Sequence, residues 1–292
     1  ATHVMLFGGS RSGKTSVLVR EACVRAIKAP NSRHAIVRFR FNAVKNSIVM
    51  DTFPKVMALC FPGVKYELNK SDWFAKFSNG SEVWFAGLDD KERTEKILGM
   101  EFVTIYPNEC SQIPYASIET AITRLAQKAE QQAIGNIPAT ALKPRVYYDC
   151  NPPSKAHWSH KIFIEKRNPD TKEVLRNPDD YASMQINPTD NTENLAAGYL
   201  DTLKAMSARA RKRFLHGEFA DATPNQLFPE ENIDRWRVTD GVLPDMVRVV
   251  VAVDPSGADD ADNADNDAIG IVVAGLGTDG NAYLGPDLTV KA

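Results

Sequence analysis

Near the start of the chain, Phe7–Thr15 ("FGGSRSGKT") brings together three glycines, a lysine and a hydroxyl residue. Gly8-x-x-x-x-Gly13-Lys14-Thr15 has the spacing of a loop that cradles phosphates. Gly8 and Gly13 let the backbone curl so that successive N–H groups face inward. A helix starting there adds its partial positive charge. In that pattern Lys14 reaches the β- and γ-phosphates of a nucleotide and the Thr15 hydroxyl ligates Mg²⁺. Gly9, Ser10, Arg11 and Ser12 complete the cradle. Arg11 reads two ways: as a finger toward the γ-phosphate from the same chain, or as a surface arginine.

Binding phosphate is not hydrolysis. Hydrolysis needs a group that orients water and another that helps to hold the metal. "EFVTIYPNECSQIP" (101–114) supplies a β-branched and aromatic run that ends in Asn108-Glu109. A carboxylate at the C-terminal end of a parallel strand lies at the crevice where ligands bind. Glu109 is therefore the candidate water-activating base, with a helix-capping acid as the plainer alternative. The residue before it, usually Asp on the metal side, is Asn108. A neutral amide can hold a metal-bound water but contributes no charge, so weaker Mg²⁺ binding is expected. A further strand, "PRVYYDC", ends at Asn151, where two prolines forbid continuation. Asn151 is either a sensor of the γ-phosphate or a turn-forming Asn before Pro.

These residues need a scaffold. "HVMLF" before the glycine loop and a Gly- and Pro-free run after it predict strand, loop, helix. Strands are expected near 4–7, 35–39, 82–88, 102–106 and 145–149, and a helix over "SQIPYASIETAITRLAQ". Alternating strands and helices predict an α/β fold, a P-loop NTPase whose mostly parallel sheet is covered on both faces.

Composition narrows the class. The chain has 292 residues, 43% hydrophobic and 25% charged, with net charge −2. That is globular and carries no global nucleic-acid signature. No apolar run reaches the ~20 residues of a membrane helix, and no signal pattern opens the chain. The cysteines Cys23, Cys60, Cys110 and Cys150 are too scattered for a metal cluster and read as buried hydrophobes. His157 and His160 have ligand-like spacing without a partner motif. The basic runs 155–167 and 209–213 read either as nucleic-acid contacts or as solvated faces.

"GSRSGKT", "GLDDKERTEKILG", "IYPNECSQI", "TRLAQ" and "YYDCNPPSKAHW" occur in an order that resembles the large subunit of tailed-bacteriophage DNA-packaging terminases. The resemblance extends through "RFLHGEFAD" and "VAVDPSG". It implies an N-terminal packaging ATPase using ATP and Mg²⁺, and a C-terminal RNase H-like endonuclease using Mg²⁺ or Mn²⁺. It implies a motor that moves double-stranded DNA into a procapsid and cuts a concatemeric genome. Its partners would be double-stranded DNA, a terminase small subunit and a portal protein. It would work in the host cytoplasm as a ring-forming homo-oligomer, with no membrane. Glu109 matches the catalytic glutamate, Arg11 an arginine often found in the loop, and Asn151 a coupling segment. Arg93, before the glutamate strand, is a candidate finger toward a neighbouring subunit.

On this reading residues 1–216 form the ATPase domain, 217–246 a turn-rich linker and 247–292 the N-terminal part of the nuclease domain. "MVRVVVAVD" predicts a strand ending in Asp254, the expected first metal ligand, or else simply a turn-opening Asp. "ADDADNADND" (258–267) lacks the EF-hand spacing and reads as a solvated acidic loop, though Asp267 remains a candidate to approach the metal. Asp287 is a poor substitute for a further ligand. The family's second and third nuclease carboxylates come later than "DLTVKA", so an incomplete nuclease that does not cut DNA by itself is expected. Two other classes compete: a helicase-like P-loop ATPase, and a non-catalytic nucleotide-binding assembly module. Duplex against single-stranded DNA stimulation separates the first; hydrolysis itself separates the second.

Overall fold

The computed structural model describes residues 1–88, 99–133, 138–220, 235–238, 243–254 and 269–290. The chain divides into two units, Ala1–Asn225 and Gln226–Ala292. The first holds strands β1 (His3–Phe7), β2 (Arg33–Arg38), β3 (Tyr66–Asn69), β4 (Phe74–Phe77), β5 (Glu82–Gly87), β6 (Thr104–Pro107), the short pair β7 (Glu130–Gln131) and β8 (Thr140–Ala141), β9 (Arg145–Cys150) and β10 (Tyr181–Gln185). The second holds β11 (Met246–Asp254), β12 (Gly270–Gly277) and β13 (Ala282–Asp287).

Eight strands of the first unit form one sheet in the order β10-β1-β9-β6-β2-β5-β4-β3. The six from β10 to β5 run parallel. β4 and β3 extend the far edge in antiparallel fashion. The unbroken apolar runs of the central strands follow from burial on both faces. Leu6, Ile36, Phe85, Tyr106 and Tyr147 pack on one side against helix α1 (Lys14–Lys28) and the helical stretch 41–60. Met5, Ala35, Val37, Trp84, Ile105, Val146 and Tyr148 pack on the other against Ile113, Ile118, Trp158, Ile162 and Phe163. Each such large side chain contributes about 1.5–3 kcal/mol on burial. α1 presents Leu18, Val19, Ala22, Cys23 and Ala26 to the sheet, a single stripe at helical spacing.

All five expected strands of this unit are present, within about two residues at each end. Two features differ from expectation. The helix predicted over 111–127 is a single turn at Cys110–Gln112 and a helix at Tyr115–Ile122. After it the chain folds back so that Phe102 N–H reaches Arg124 O and Gln127 N–H reaches Phe102 O. β10, "YASMQ", adds a parallel edge strand beside β1 that no apolar pattern announces.

Strand order sets the site. β1, β9, β6 and β2 are neighbours and parallel, so their C-terminal ends lie side by side. Phe7 pairs with Cys150, and Val37 with Pro107. The residues just past these pairs open onto one crevice, where sequence-distant groups converge.

The second unit is a three-stranded antiparallel sheet, β11-β12-β13. Gly280, at φ +82°, makes the turn between β12 and β13. Asp254 is exposed at the end of β11, opposite Gly270. Asp287 ends β13, with its backbone opposite Val272. Asp267 and the acidic run lie outside the described residues.

Candidate active site

The glycine loop leaves β1 and enters α1. Gly8 takes φ +147°, and a Cβ there would lie 1.9 Å from Ile186 O. Gly13, at φ +88°, turns the chain directly into the helix. The loop is fixed from behind. Gly9 N–H donates to Asn187 Oδ1 (3.0 Å) and Ser10 N–H to Phe214 O (2.8 Å). Asn191 Nδ2 donates to Arg11 O (2.8 Å). Gly217, at φ +63°, comes so close that a Cβ would meet Gly8 Cα at 2.5 Å. What remains open is the first turn of α1, whose N–H groups have no partner within the helix.

Lys14 is buried in this loop. Its ammonium donates to Gly9 O (2.6 Å), Ser12 Oγ (2.9 Å), Gly8 O (3.1 Å) and Asn151 Oδ1 (3.3 Å). Burial holds its pKa below the usual lysine value, while the charge of Asp149 pulls the other way. Asn151 also reaches Ser10 Oγ (3.4 Å). The amide just past the end of β9 therefore touches both the lysine and the loop.

Thr15 Oγ1 donates to Asp149 Oδ2 at 2.7 Å. Asp149 sits one residue before the end of β9 and is buried. Asn108 Nδ2 donates to both of its oxygens (2.9 and 3.1 Å), and Glu109 N–H donates to Oδ1 (2.7 Å). Below them burial, then the Asp149 charge, pushes the Tyr106 hydroxyl well above the usual tyrosine value. Asp149 is the cavity residue that motif reading passes over. Its signal was strand alternation in "VYYDC", which puts Asp149 on the Tyr147 face, the face of α1.

Glu109 adopts φ +49°, ψ +51°, the left-handed region that a non-glycine residue enters only when its surroundings require it. The backbone turn swings its side chain off the strand line. The carboxylate forms an ion pair with Arg38, from the end of β2, and accepts from Gln112 Nε2 at 2.8 Å. Arg38 is anchored in turn by Ser47 Oγ at 2.8 Å.

Arg11, Ser12, Gly13, Lys14, Thr15, Asn108, Glu109, Asp149 and Asn151 line one cavity of about 720 Å³, a size that suits a nucleotide. Ser10 joins them; Gly8 and Gly9 stand behind and shape the loop. Arg11 is exposed, with φ +59°. Arg38, Leu195 and Tyr199 close other sides. Arg93 lies outside the described residues. Asp254 belongs to the other unit.

Of the basic runs, 155–167 is half structural: Trp158, Ile162 and Phe163 are core, and Lys161 pairs with Glu165. Arg209, Lys212 and Arg213 are exposed on the helix Ala208–Phe214, whose last carbonyl is the one bonded to Ser10. Among the described residues no group of three or more His, Cys, Asp or Glu is placed to hold a metal, and no helix is long and apolar enough to cross a membrane. All four cysteines are free.

A family model described as terminase large subunit, T4likevirus-type, N-terminal, matches residues 5–235. No curated protein matches the chain. Among solved structures, the large terminase of a thermophilic bacteriophage (crystal form 2) is similar with a TM-score of 0.58 at 14% identity, covering 99% of this chain. Crystal form 3 of that protein in complex with ADP gives 0.56, and in complex with ATP-gamma-S 0.53, each at 14% identity and 97% of this chain. The chain spans 63%, 63% and 62% of those chains respectively.

Proposed function

The chain belongs to the T4likevirus-type terminase large subunits, matching their N-terminal part, and from that premise we propose that it hydrolyses ATP to drive double-stranded DNA into a procapsid. The observation that carries this reading is the convergence of Lys14, Thr15, Glu109 and Asn151 in one cavity at the ends of parallel strands. Lys14 and the α1 N-terminus bind the β- and γ-phosphates. Glu109 orients and deprotonates the attacking water, its carboxylate held by Arg38 and Gln112. Asn151, between Lys14 and Ser10, senses the γ-phosphate. Arg11 supplies positive charge at the cavity mouth; Arg93 is kept as the candidate finger toward a neighbouring subunit.

The oxygen donors at Thr15 suit Mg²⁺, a hard cation that dehydrates reluctantly and is held largely by substrate phosphates. Bound there, it would neutralise charge on the β- and γ-phosphate oxygens.

Movement follows from how the loop is braced. Ser10 is bonded to Phe214 O, at the end of the helix that exposes Arg209, Lys212 and Arg213. A shift of the loop on phosphate release is transmitted to that basic helix, which grips DNA phosphates without reading sequence. In the whole protein, residues 247–292 begin an RNase H-like nuclease with Asp254 as its first ligand. A two-metal site requires several carboxylates, and metal-dependent plasmid cleavage that is lost in Asp254→Ala tests the role of Asp254. A terminase small subunit, a portal and a ring of further copies complete the motor in the host cytoplasm.

The test is Mg²⁺-dependent ATP hydrolysis by the chain and by Glu109→Ala, with and without duplex DNA. Hydrolysis that disappears in the variant and rises with duplex DNA is expected. Hydrolysis unchanged in the variant would refute the role of Glu109. Nucleotide binding without any turnover, even with DNA, would favour the assembly module.

A further inference from the structure

We infer that Asp149, near the end of β9, is the carboxylate that fixes the nucleotide's magnesium in this chain, and that Asn108, just past β6, positions Asp149 instead of serving the metal itself. This rests on the ATPase reading above and names the residue that completes it.

Three observations converge. The first is direction. Asp149 shares its strand face with Tyr147, and Asn108 shares its face with Tyr106; both tyrosines pack on the α1 side of the sheet. Alternation therefore aims Asp149 and Asn108 together at the first turn of α1. The second is the hydroxyl. Thr15 Oγ1, the group expected to ligate Mg²⁺, donates its proton to Asp149 Oδ2 at 2.7 Å. Asn108 Nδ2 is 3.5 Å from that hydroxyl and is engaged with Asp149. The third is burial. Asp149 is 2% exposed. A buried carboxylate is stable only where charge or donors compensate it. Here Thr15, Asn108 and the Glu109 N–H supply donors, and all three hold the carboxylate against the Thr15 side of the cavity.

The off-pattern asparagine then has a physical reason. A carboxylate at residue 108 would stand where Nδ2 now approaches Asp149 at 2.9 Å. Two carboxylates at that range do not both ionise. With the acid on β9, the neighbouring position at the end of β6 must be a donor, and an amide is one. The same carboxylate also receives the backbone N–H of Glu109. Metal side and base are thereby tied to one group, on the strand that leads into Asn151 (β9 is the strand between β1 and β6).

The experiment uses Mn²⁺ as a spectroscopic stand-in for Mg²⁺ and needs no turnover. Free and bound Mn²⁺ are counted by electron paramagnetic resonance in the presence of saturating ADP, and ADP affinity is measured separately in EDTA. Asp149→Asn is expected to weaken Mn²⁺ binding to the ADP complex by about 10-fold or more, with ADP affinity in EDTA nearly unchanged. Exchanging the pair, Asn108→Asp with Asp149→Asn, keeps one acid and one amide in contact and is expected to recover most of the loss. Parent-like Mn²⁺ affinity in Asp149→Asn overturns the inference. If that variant does not fold, Asn108→Ala decides: Asp149 keeps Thr15 and the Glu109 N–H as partners, so Mn²⁺ binding to the ADP complex should fall by no more than about 10-fold, and its complete loss with ADP affinity in EDTA retained overturns the inference. A parent that does not bind ADP in EDTA would instead remove the ATPase reading beneath it.

Discussion

Lowering the pH from 7 to 5 should destabilise the first unit, most clearly through His34, in β2. It is fully buried, and burial, reinforced by the nearby Arg25 charge, lowers its pKa from 6.5 to about 3. The hydrogen bonds form a one-way chain. Arg25 Nε donates to Thr104 Oγ1 (2.7 Å), leaving that hydroxyl to donate to His34 Nδ1 (2.8 Å). Ser32 Oγ donates to Ala29 O, so it accepts from His34 Nε2 at 2.8 Å. In this arrangement both ring nitrogens are satisfied in the neutral form. Below 6.5 the unfolded chain takes up a proton that the folded chain refuses, so stability is full above that value and is lost as pH falls through it. The linkage between 6.5 and about 3 amounts to about 0.8 kcal/mol at pH 6 and about 2 kcal/mol at pH 5. Urea unfolding of the parent and of His34→Gln at pH 7, 6 and 5 measures it, because glutamine keeps a donor and an acceptor but does not titrate. The parent should lose about 2 kcal/mol more than the variant between pH 7 and 5. His3, His157 and His160 also have lowered pKa values; they act alike in both proteins and cancel. Parallel pH dependences for the two proteins, or a His34 ring resonance titrating near 6.5, would refute the reasoning.

Glu109→Gln should keep ATP binding while lowering kcat by about 10²–10⁴-fold, measured by steady-state hydrolysis beside nucleotide titration. Arg38→Met removes the partner that holds the Glu109 carboxylate; kcat should fall by up to about 10²-fold with KM little changed, since misplacing a base by about 1 Å costs that much. Gly217→Ala forces a Cβ to within 2.3 Å of Asn187 Oδ1 and 2.7 Å of Gly9 N at a left-handed φ; stability in thermal melts should drop by about 1–3 kcal/mol and nucleotide affinity should fall with it. Replacing Arg209, Lys212 and Arg213 by glutamine should weaken duplex DNA binding for every sequence alike and flatten the slope of log Kobs against log salt by up to about 2.7.

How much of this was legible before folding depends on how local each signal is. The glycine loop was readable because one short stretch holds most of its own geometry: Gly8 and Gly13 sit at two of its three positive-φ positions, and Lys14 opens the helix. The central strands were readable because burial on both faces leaves unbroken apolar runs. β10 was not, since an edge strand needs only backbone pairing, and its residues are mostly exposed. Nor was the bracing of the loop by Asn187, Phe214 and Gly217, which carry no chemistry of their own and act through an amide, a carbonyl and a missing Cβ. Asp149 is the instructive case. By sequence the natural partner of Asn108 is Glu109, its neighbour. By structure it is a residue 41 positions away, brought beside it because the sheet inserts β9 between β1 and β6. A motif read along the chain assigns the metal's carboxylate to the strand that carries the base. A sheet imposes no such rule, because any strand ending at the crevice on the α1 face presents its side chain to the same hydroxyl. An amide in the expected acid position is therefore best read as a prompt to ask which adjacent strand end carries the acid, before it is read as a loss of function.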